Sequence, residues 1–147
     1  MKRHDTQKIH LHIDSEEELE NFAETFCSLL QGDEVIYLQG PLGAGKTTLT
    51  KKIAHALSID PHQVISPTFV LMKQYKAALS MYHFDLYRLD EEKQLSDIDF
   101  FEIVEYPGLK IVEWADKFPS LKKYADIIIT LSIGGSSQRS LTVQRNA

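Results

Sequence analysis

Residues 35–57 read VIYLQGPLGAGKTTLTKKIAHAL, and this stretch determines the expected fold. Its first four residues form an apolar run that predicts a buried strand, and apolar residues at helical spacing from Leu49 to Leu57 predict a helix. Between them, residues 40–47 fit the pattern G-x-x-x-x-G-K-[ST]. A strand before this loop and a helix after it are the context in which the pattern binds the phosphates of a nucleotide.

The loop has the residue types that a polyphosphate requires. Gly43 and Gly45 carry no side chain, so several backbone N–H groups can point at one phosphate chain. The following helix adds its unpaired N–H groups and the positive end of its dipole. Lys46 can reach the β- and γ-phosphates, and the Thr47 hydroxyl can bind Mg²⁺. We therefore expect a site for a nucleotide triphosphate and Mg²⁺.

Length and composition predict an ordinary globular protein. The 147 residues favour a single domain over residues 1–147, and 43% of them are hydrophobic and 25% charged. The net charge is −5 and no basic run exceeds two residues, which argues against nucleic acid as a direct partner. The single cysteine, Cys27, excludes an internal disulfide, is typical of a reducing compartment and is expected to be a buried, inert thiol.

No membrane segment is expected. The N-terminal ten residues lack the apolar core of a signal peptide, and the apolar run at residues 127–131 is too short to span a bilayer. We therefore expect a cytoplasmic protein without a membrane partner.

The remaining pattern predicts strands on both sides of the loop. Alternating residues 9–13 predict a strand, and the capping box at residues 15–18 begins a helix with an apolar stripe as far as Leu30, ended by Gly32. Hairpins are expected from two pairs of extended runs, with a strand between them and an ambiguous segment that could be helix or strand. The paired runs are residues 64–75 with 81–89 and residues 127–133 with 141–144; the strand is 110–114 and the ambiguous segment 100–104.

Two acids in extended runs are candidates for chemistry. Alternation places His83, Asp85 and Tyr87 on one face of their strand. An acid among aromatic residues is either paired, for example with a neighbouring arginine, or placed to act on the metal and water of a nucleotide site. Glu113 is the last residue of an apolar strand, where it could be a metal-site group or a surface carboxylate. Trp114, the next residue, could be a core residue or a platform for adenine.

Four segments together resemble the TsaE family of small bacterial ATPases, formerly called YjeE. They are GPLGAGKTTL at 40–49, SPTF at 66–69, YHFDLYRL at 82–89 and VEW at 112–114. The resemblance covers most of the chain. It implies an α/β fold, a P-loop NTPase-like three-layer sandwich whose mixed central sheet has a parallel core around the phosphate loop and antiparallel hairpins.

The resemblance also implies a function. Family members are weak ATPases required for the threonylcarbamoyladenosine (t6A) modification of tRNA, and they act as a switch on a complex of two partner subunits, TsaD and TsaB. The expected cofactors are ATP, as substrate, and Mg²⁺. Contact with tRNA would be indirect, through the complex.

The site residues are carried over by position. Lys46, Asp85 and Glu113 would be catalytic, with Thr47 and Glu113 at the metal. The residues expected to bind the nucleotide are Glu16, Gly40, Leu42, Gly43, Ala44, Gly45, Lys46, Thr47, Thr48, Thr68, Trp114 and Arg139. From its position in the sequence alone, Arg139 could equally be a solvated turn residue.

Three other functions were compared with a partner-dependent ATPase. A small-molecule kinase, the main alternative, generally needs a lid with several cationic groups, whereas the four arginines of this chain are scattered. A guanine-nucleotide switch would be expected to carry D-x-x-G and N-K-x-D elements, which are absent. A module that binds nucleotide without hydrolysing it is disfavoured only if Asp85 and Glu113 both face the site.

Overall fold

The computed structural model describes residues 8–64, 70–134 and 138–146. The strands within these residues are β1 (Lys8–Ile13), β2 (Val35–Gln39), β3 (Met72–Tyr75), β4 (Met81–Asp85), β5 (Leu109–Glu113), β6 (Ile127–Ile133) and β7 (Arg139–Arg145). The α-helices are α1 (Glu16–Ser28), α2 (Lys46–Ala56) and α3 (Phe100–Ile103). Short 3₁₀ helices occupy Pro61–Gln63, Glu92–Ile98, Ala115–Lys117 and Pro119–Tyr124.

All seven of these strands join one mixed sheet in the order β1-β7-β6-β2-β5-β4-β3. Its centre is parallel, because β2 pairs in parallel with both β5 and β6, and β4 pairs in parallel with β5. The pairs β1/β7, β6/β7 and β3/β4 are antiparallel. The strand that leads into the glycine-rich loop therefore lies in the parallel centre, and its carboxyl end lies beside those of β5 and β6.

Two hydrophobic cores cover the two faces of this sheet. On one face, Ile36 and Leu38 of β2 pack in a cluster with the buried residues of α1 and α2. On the other face, Tyr37 of β2 packs with Phe84 and Phe100 and with the short helices. Strands buried on both faces read as continuous apolar runs, as β2 does. Together, the sheet and its two covering layers confirm the expected three-layer α/β class.

The start of α1 confirms the expected cap at Ser15 but not the full capping box. The Glu18 N–H donates to the Ser15 hydroxyl at 3.1 Å. The Glu18 carboxylate accepts from the Asp14 N–H at 2.9 Å, one residue before the Ser15 N–H that a capping box uses. The bond to Ser15 satisfies a backbone donor that the first turn of a helix leaves unpaired.

The end of α1 differs from the expectation. The helix ends at Ser28 and not at Gly32, and Leu29 is largely exposed (72%) although it was expected in the apolar stripe. The cause is Glu34, whose carboxylate accepts the N–H groups of residues 31–33 and so holds this backbone outside the helix. Residue Cys27 is only half-buried, so the expectation of a buried thiol is also too strong.

The two expected hairpins are present. The ambiguous segment beginning at Phe100 is helical. The C-terminal hairpin is longer than expected, because β7 already begins at Arg139, which pairs with Ile133 of β6 and Ile13 of β1. The interpretation of Arg139 as a turn residue is therefore wrong. No helix in the described ranges is both long and apolar enough to cross a membrane.

Candidate functional site

The loop between β2 and α2 leaves the first turn of α2 without a side-chain cap. Gly45 is the N-cap residue, it has the left-handed φ of +102°, and no side chain of the described residues caps this terminus. The first N–H groups of a helix have no partner within the helix, and they carry the positive end of its dipole. Such a terminus can bind an anion through backbone N–H groups.

Glycine is required at position 45 for two reasons. A φ of +102° is strained for any residue with a Cβ atom. In addition, a Cβ atom at this position would collide with the guanidinium group of Arg139, which lies against the loop. Arg139 reaches this place because β7 begins there, beside the carboxyl end of β6 and two strands from β2.

A cavity of about 370 Å³ opens beside this loop. This volume lies in the range of small-molecule sites. The residues that line the cavity are Leu42, Gly43, Gly45, Lys46, Thr47, Thr48, Asp85, Tyr87, Glu113, Trp114 and Arg139. The structure thus brings most of the expected site residues together from the loop and from the carboxyl ends of β4 and β5.

Three of the expected residues do not line this cavity. Gly40 contributes its carbonyl oxygen to the site, as described below, and Ala44 is fully buried beneath the loop. Glu16 is exposed and lies in an adjoining cleft, which Thr48 also lines. Its carboxylate lies 4.0 Å from the Lys52 amine. Thr68 is outside the described residues.

The Lys46 side chain is buried in the wall of the cavity. Its amine donates to the Gly40 carbonyl oxygen at 2.6 Å and lies 3.6 Å from the centroid of the Trp114 ring. Burial lowers the pKa of Lys46. Three carboxylates oppose this shift, and they belong to Glu113, Asp116 and Asp85. The amine and both expected catalytic acids line the same cavity.

The two acids lie side by side at the edge of the sheet. Asp85 and Glu113 are register partners on the parallel strands β4 and β5, and both are buried. The Asp85 carboxylate accepts the Tyr87 N–H at 3.0 Å, and Glu113 Oε2 lies 2.6 Å from His83 Nε2. Glu113 is only 3% exposed, so the interpretation of a surface carboxylate is wrong. Both acids line the cavity, as a site that hydrolyses nucleotide would require.

Trp114 takes an unusual backbone conformation directly after β5. Its φ of +65° lies in the left-handed region, which is rare for a bulky residue. The ring lies against Lys46 on the cavity wall and against Tyr87, with ring centroids 4.9 Å apart. Local strain of this kind is common at ligand sites. Trp114 is partly buried against the aromatic core and also lines the cavity, and its role as a platform for adenine stays a prediction.

Sequence reasoning did not include Tyr87 and His83 in the site. The signal that could have found them is the alternation along β4 and the residues after it, which places both on the same face as Asp85. Tyr87 lines the cavity, and His83 lies beneath it against Glu113.

A divalent cation would find few protein ligands here. In the described ranges, no three His, Cys, Asp or Glu side chains come close enough together to hold a metal ion. The Thr47 hydroxyl and the Glu113 carboxylate do line the same cavity. Mg²⁺ usually keeps several waters and takes one or two protein oxygens together with substrate phosphates. The donor set therefore fits Mg²⁺ that arrives with a phosphate ligand.

The central parallel strand, the glycine-rich loop and the uncapped helix define a P-loop NTPase-like α/β protein. The chain belongs to the TsaE family: residues 13–141 match the family model described as "Threonylcarbamoyl adenosine biosynthesis protein TsaE". This match confirms the resemblance drawn from the motifs.

Relatives support the same assignment along nearly the whole chain. A protein of Aquifex aeolicus is 38% identical over 135 residues, covering 90% of this chain and 93% of the relative. A protein of Bacillus subtilis is 34% identical over 127 residues, covering 86% of this chain and 78% of the relative. Both are named tRNA threonylcarbamoyladenosine biosynthesis protein TsaE. The crystal structure of YdiB from Bacillus subtilis matches with a TM-score of 0.75 at 26% identity, covering 99% of this chain and 90% of that one.

Proposed function

We propose that the chain is the ATP-binding and ATP-hydrolysing subunit of the machinery that makes threonylcarbamoyladenosine in tRNA. One observation carries the proposal: the uncapped helix terminus, the buried amine of Lys46 and the paired acids Asp85 and Glu113 all face one cavity. Binding of a polyanion explains the uncapped helix terminus and the buried Lys46 amine. Hydrolysis explains why two buried carboxylates lie opposite them.

In this proposal the loop holds the phosphates and the acids act on the metal and water. The N–H groups near Gly43 and Gly45 bind the phosphate oxygens, and Lys46 leaves the Gly40 carbonyl to contact the β- and γ-phosphates. Thr47 binds Mg²⁺, which supplies charge neutralisation on the phosphates when bound. Glu113 contacts that ion or its water.

The other residues of the cavity act around this centre. Asp85 is the second acid required for hydrolysis. Arg139 adds a cation at the loop, and Trp114 lines the site near the nucleotide, with Glu16 at its outer rim.

The proposal includes two protein partners, TsaD and TsaB, and a cytoplasmic location. We expect the isolated chain to be a weak ATPase that these partners stimulate, so that it serves as a switch on their complex. The net charge of −5 supports a contact with tRNA that is made through the partners.

One experiment tests both nucleotide binding and the reaction type. Calorimetry should detect ATP binding that strengthens with Mg²⁺, and released phosphate should be measured with the chain alone and after addition of TsaD and TsaB. Glu113→Gln should abolish phosphate release while ATP binding remains. If γ-labelled phosphate instead appears on a metabolite in stoichiometric amount, the chain is a small-molecule kinase. Absence of ATP binding, or no stimulation by the partners, would overturn the corresponding part of the proposal.

A further inference from the structure

His83 lies fully buried under the acid pair. It belongs to β4, two residues before Asp85, and its side chain has no exposed surface. In the parallel pair β4/β5, Ile111 lies opposite His83 and Glu113 opposite Asp85. The bond of 2.6 Å between His83 Nε2 and Glu113 Oε2 is therefore a diagonal contact between adjacent strands on one face of the sheet.

The surroundings of the ring assign its tautomer. Among the described residues, His83 Nδ1 is buried without a hydrogen-bond partner. A proton on Nδ1, in the other tautomer or in the imidazolium, would be a buried donor without an acceptor, which is rare and costly. A proton on Nε2 alone is donated to the Glu113 carboxylate and leaves Nδ1 as a bare acceptor. We assign the neutral Nε2–H form on this basis.

This bond restrains the carboxylate that faces the cavity. It occupies Oε2, whereas Oε1 has no hydrogen bond among the described residues. A glutamate side chain has several rotamers, and one short bond to a ring held within the sheet selects among them. Among the described residues, His83 supplies the one side-chain hydrogen bond to Glu113.

We propose that His83 is a positioning residue for Glu113, a role that rests on the proposed ATPase function. The ring donates Nε2–H to Oε2 and thereby presents Oε1 to the metal or its water. It does not contact the nucleotide and exchanges no proton in the reaction. Groups that orient a metal-binding carboxylate through a hydrogen bond typically affect metal affinity or activity by about 10- to 100-fold.

Two substitutions separate positioning from structural support. His83→Met fills similar space without a donor, and we expect kcat to fall about 10- to 100-fold while the KM for ATP stays within about threefold. His83→Gln keeps an N–H donor at similar reach, and we expect kcat within about threefold of the wild-type value. Wild-type kcat in His83→Met, or equal loss in both variants, would overturn the role.

A double-mutant cycle tests whether His83 acts through Glu113. On a Glu113→Asp background, which keeps a carboxylate and a measurable residual rate, His83→Met should cause no further loss, because the shortened side chain has already lost its bond to the ring. An additional loss of tenfold would overturn the proposal. If Glu113→Gln stops hydrolysis and His83→Met keeps the wild-type kcat, the positioning role fails and the proposed function stands. If Glu113→Gln leaves hydrolysis unchanged, the proposed role of Glu113 in hydrolysis fails. Histidine spectra then test the tautomer of His83 and its bond to Glu113 independently of activity.

A spectroscopic measurement on the wild-type chain needs neither activity nor a stable variant. Two-bond ¹H–¹⁵N spectra of the six histidines, with His83→Gln identifying the signal, should show a neutral ring protonated at Nε2. The Nε2–H proton should lie at low field and move when Glu113 is replaced by Gln. A ring protonated at Nδ1, or an Nε2–H signal that does not respond to Glu113→Gln, would overturn the proposal.

Discussion

Replacing Lys46 by Met removes the amine at the centre of the candidate site and leaves the packing nearly unchanged. The Lys46 side chain is buried, its amine is bonded to the Gly40 carbonyl at 2.6 Å, and it lies on the Trp114 ring. Met has a similar length, and its sulfur packs well against an aromatic ring. We therefore expect the variant to fold with a stability loss of no more than about 1–2 kcal/mol, because the lost hydrogen bond and ring contact are partly offset once a charged amine is no longer buried.

The expected loss of ATP affinity follows from the contacts that Lys46 exchanges. One phosphate charge about 4 Å from the amine contributes about 4 kcal/mol at an effective dielectric constant of about 20. Leaving the carbonyl and the ring costs about 1.5–2 kcal/mol. The difference of about 2–2.5 kcal/mol corresponds to a rise in Kd of about 30- to 60-fold.

Calorimetry of ATP binding in the presence of Mg²⁺ measures this change directly. Lys93→Met is a matched control, because it removes an exposed lysine whose amine is paired with Glu91 at 3.0 Å, away from the cavity. We expect less than a twofold change in this control. A Kd for the Lys46 variant within threefold of the wild-type value would refute the reasoning, and equal effects in both variants would show that only overall charge matters.

Three further predictions concern stability and reactivity. Gly45→Ala should destabilise the chain by about 1 kcal/mol more than Gly43→Ala in urea unfolding, because the φ of +102° at 45 lies farther than the φ of +79° at 43 from the left-handed region that alanine can adopt. A Cβ atom at 45 must in addition displace the guanidinium end of Arg139, and equal losses would contradict this prediction. Lys110→Met should lower the free energy of unfolding by about 1–3 kcal/mol without changing ATP affinity, because this buried amine donates to two backbone carbonyls at the end of β5 away from the cavity. Unchanged thermal unfolding would exclude a stabilising role for the Lys110 amine. Burial raises the pKa of Cys27 to about 11, so the folded thiol keeps a proton that the unfolded thiol loses above pH 9.0. The contribution of Cys27 to the free energy of unfolding is therefore complete below pH 9.0 and declines as the pH rises towards 11. Iodoacetamide should therefore label Cys27 much more slowly in the folded chain than in urea at about pH 9, and equal rates would refute the shift.

Local signals were sufficient for most elements. The apolar run of β2, the glycine loop and the helical spacing after it predicted the strand, loop and helix at nearly their observed bounds. The end of α1 was missed because three backbone N–H groups bond to Glu34, a contact that no helix-stop signal encodes. Arg139 was open to interpretation as a turn residue because its place in a strand depends on pairing with β1, which is more than a hundred residues away in sequence.

The sequence by itself determined the phosphate-loop motif and the acids worth considering, because these depend on residue type and on spacing within a few turns or strands. The expected fold class came from the family resemblance that the motifs carry. Only the tertiary structure decided that Asp85 and Glu113 are register partners, that Lys46 lies on Trp114, and that a buried histidine bonds to Glu113. The reason is physical: strand order and register set which side chains become neighbours, and the pairing energy that sets them is spread over the whole sheet. A sequence pattern can place a side chain on one face of a strand, but the order and register of the strands determine which residue of the adjacent strand it contacts.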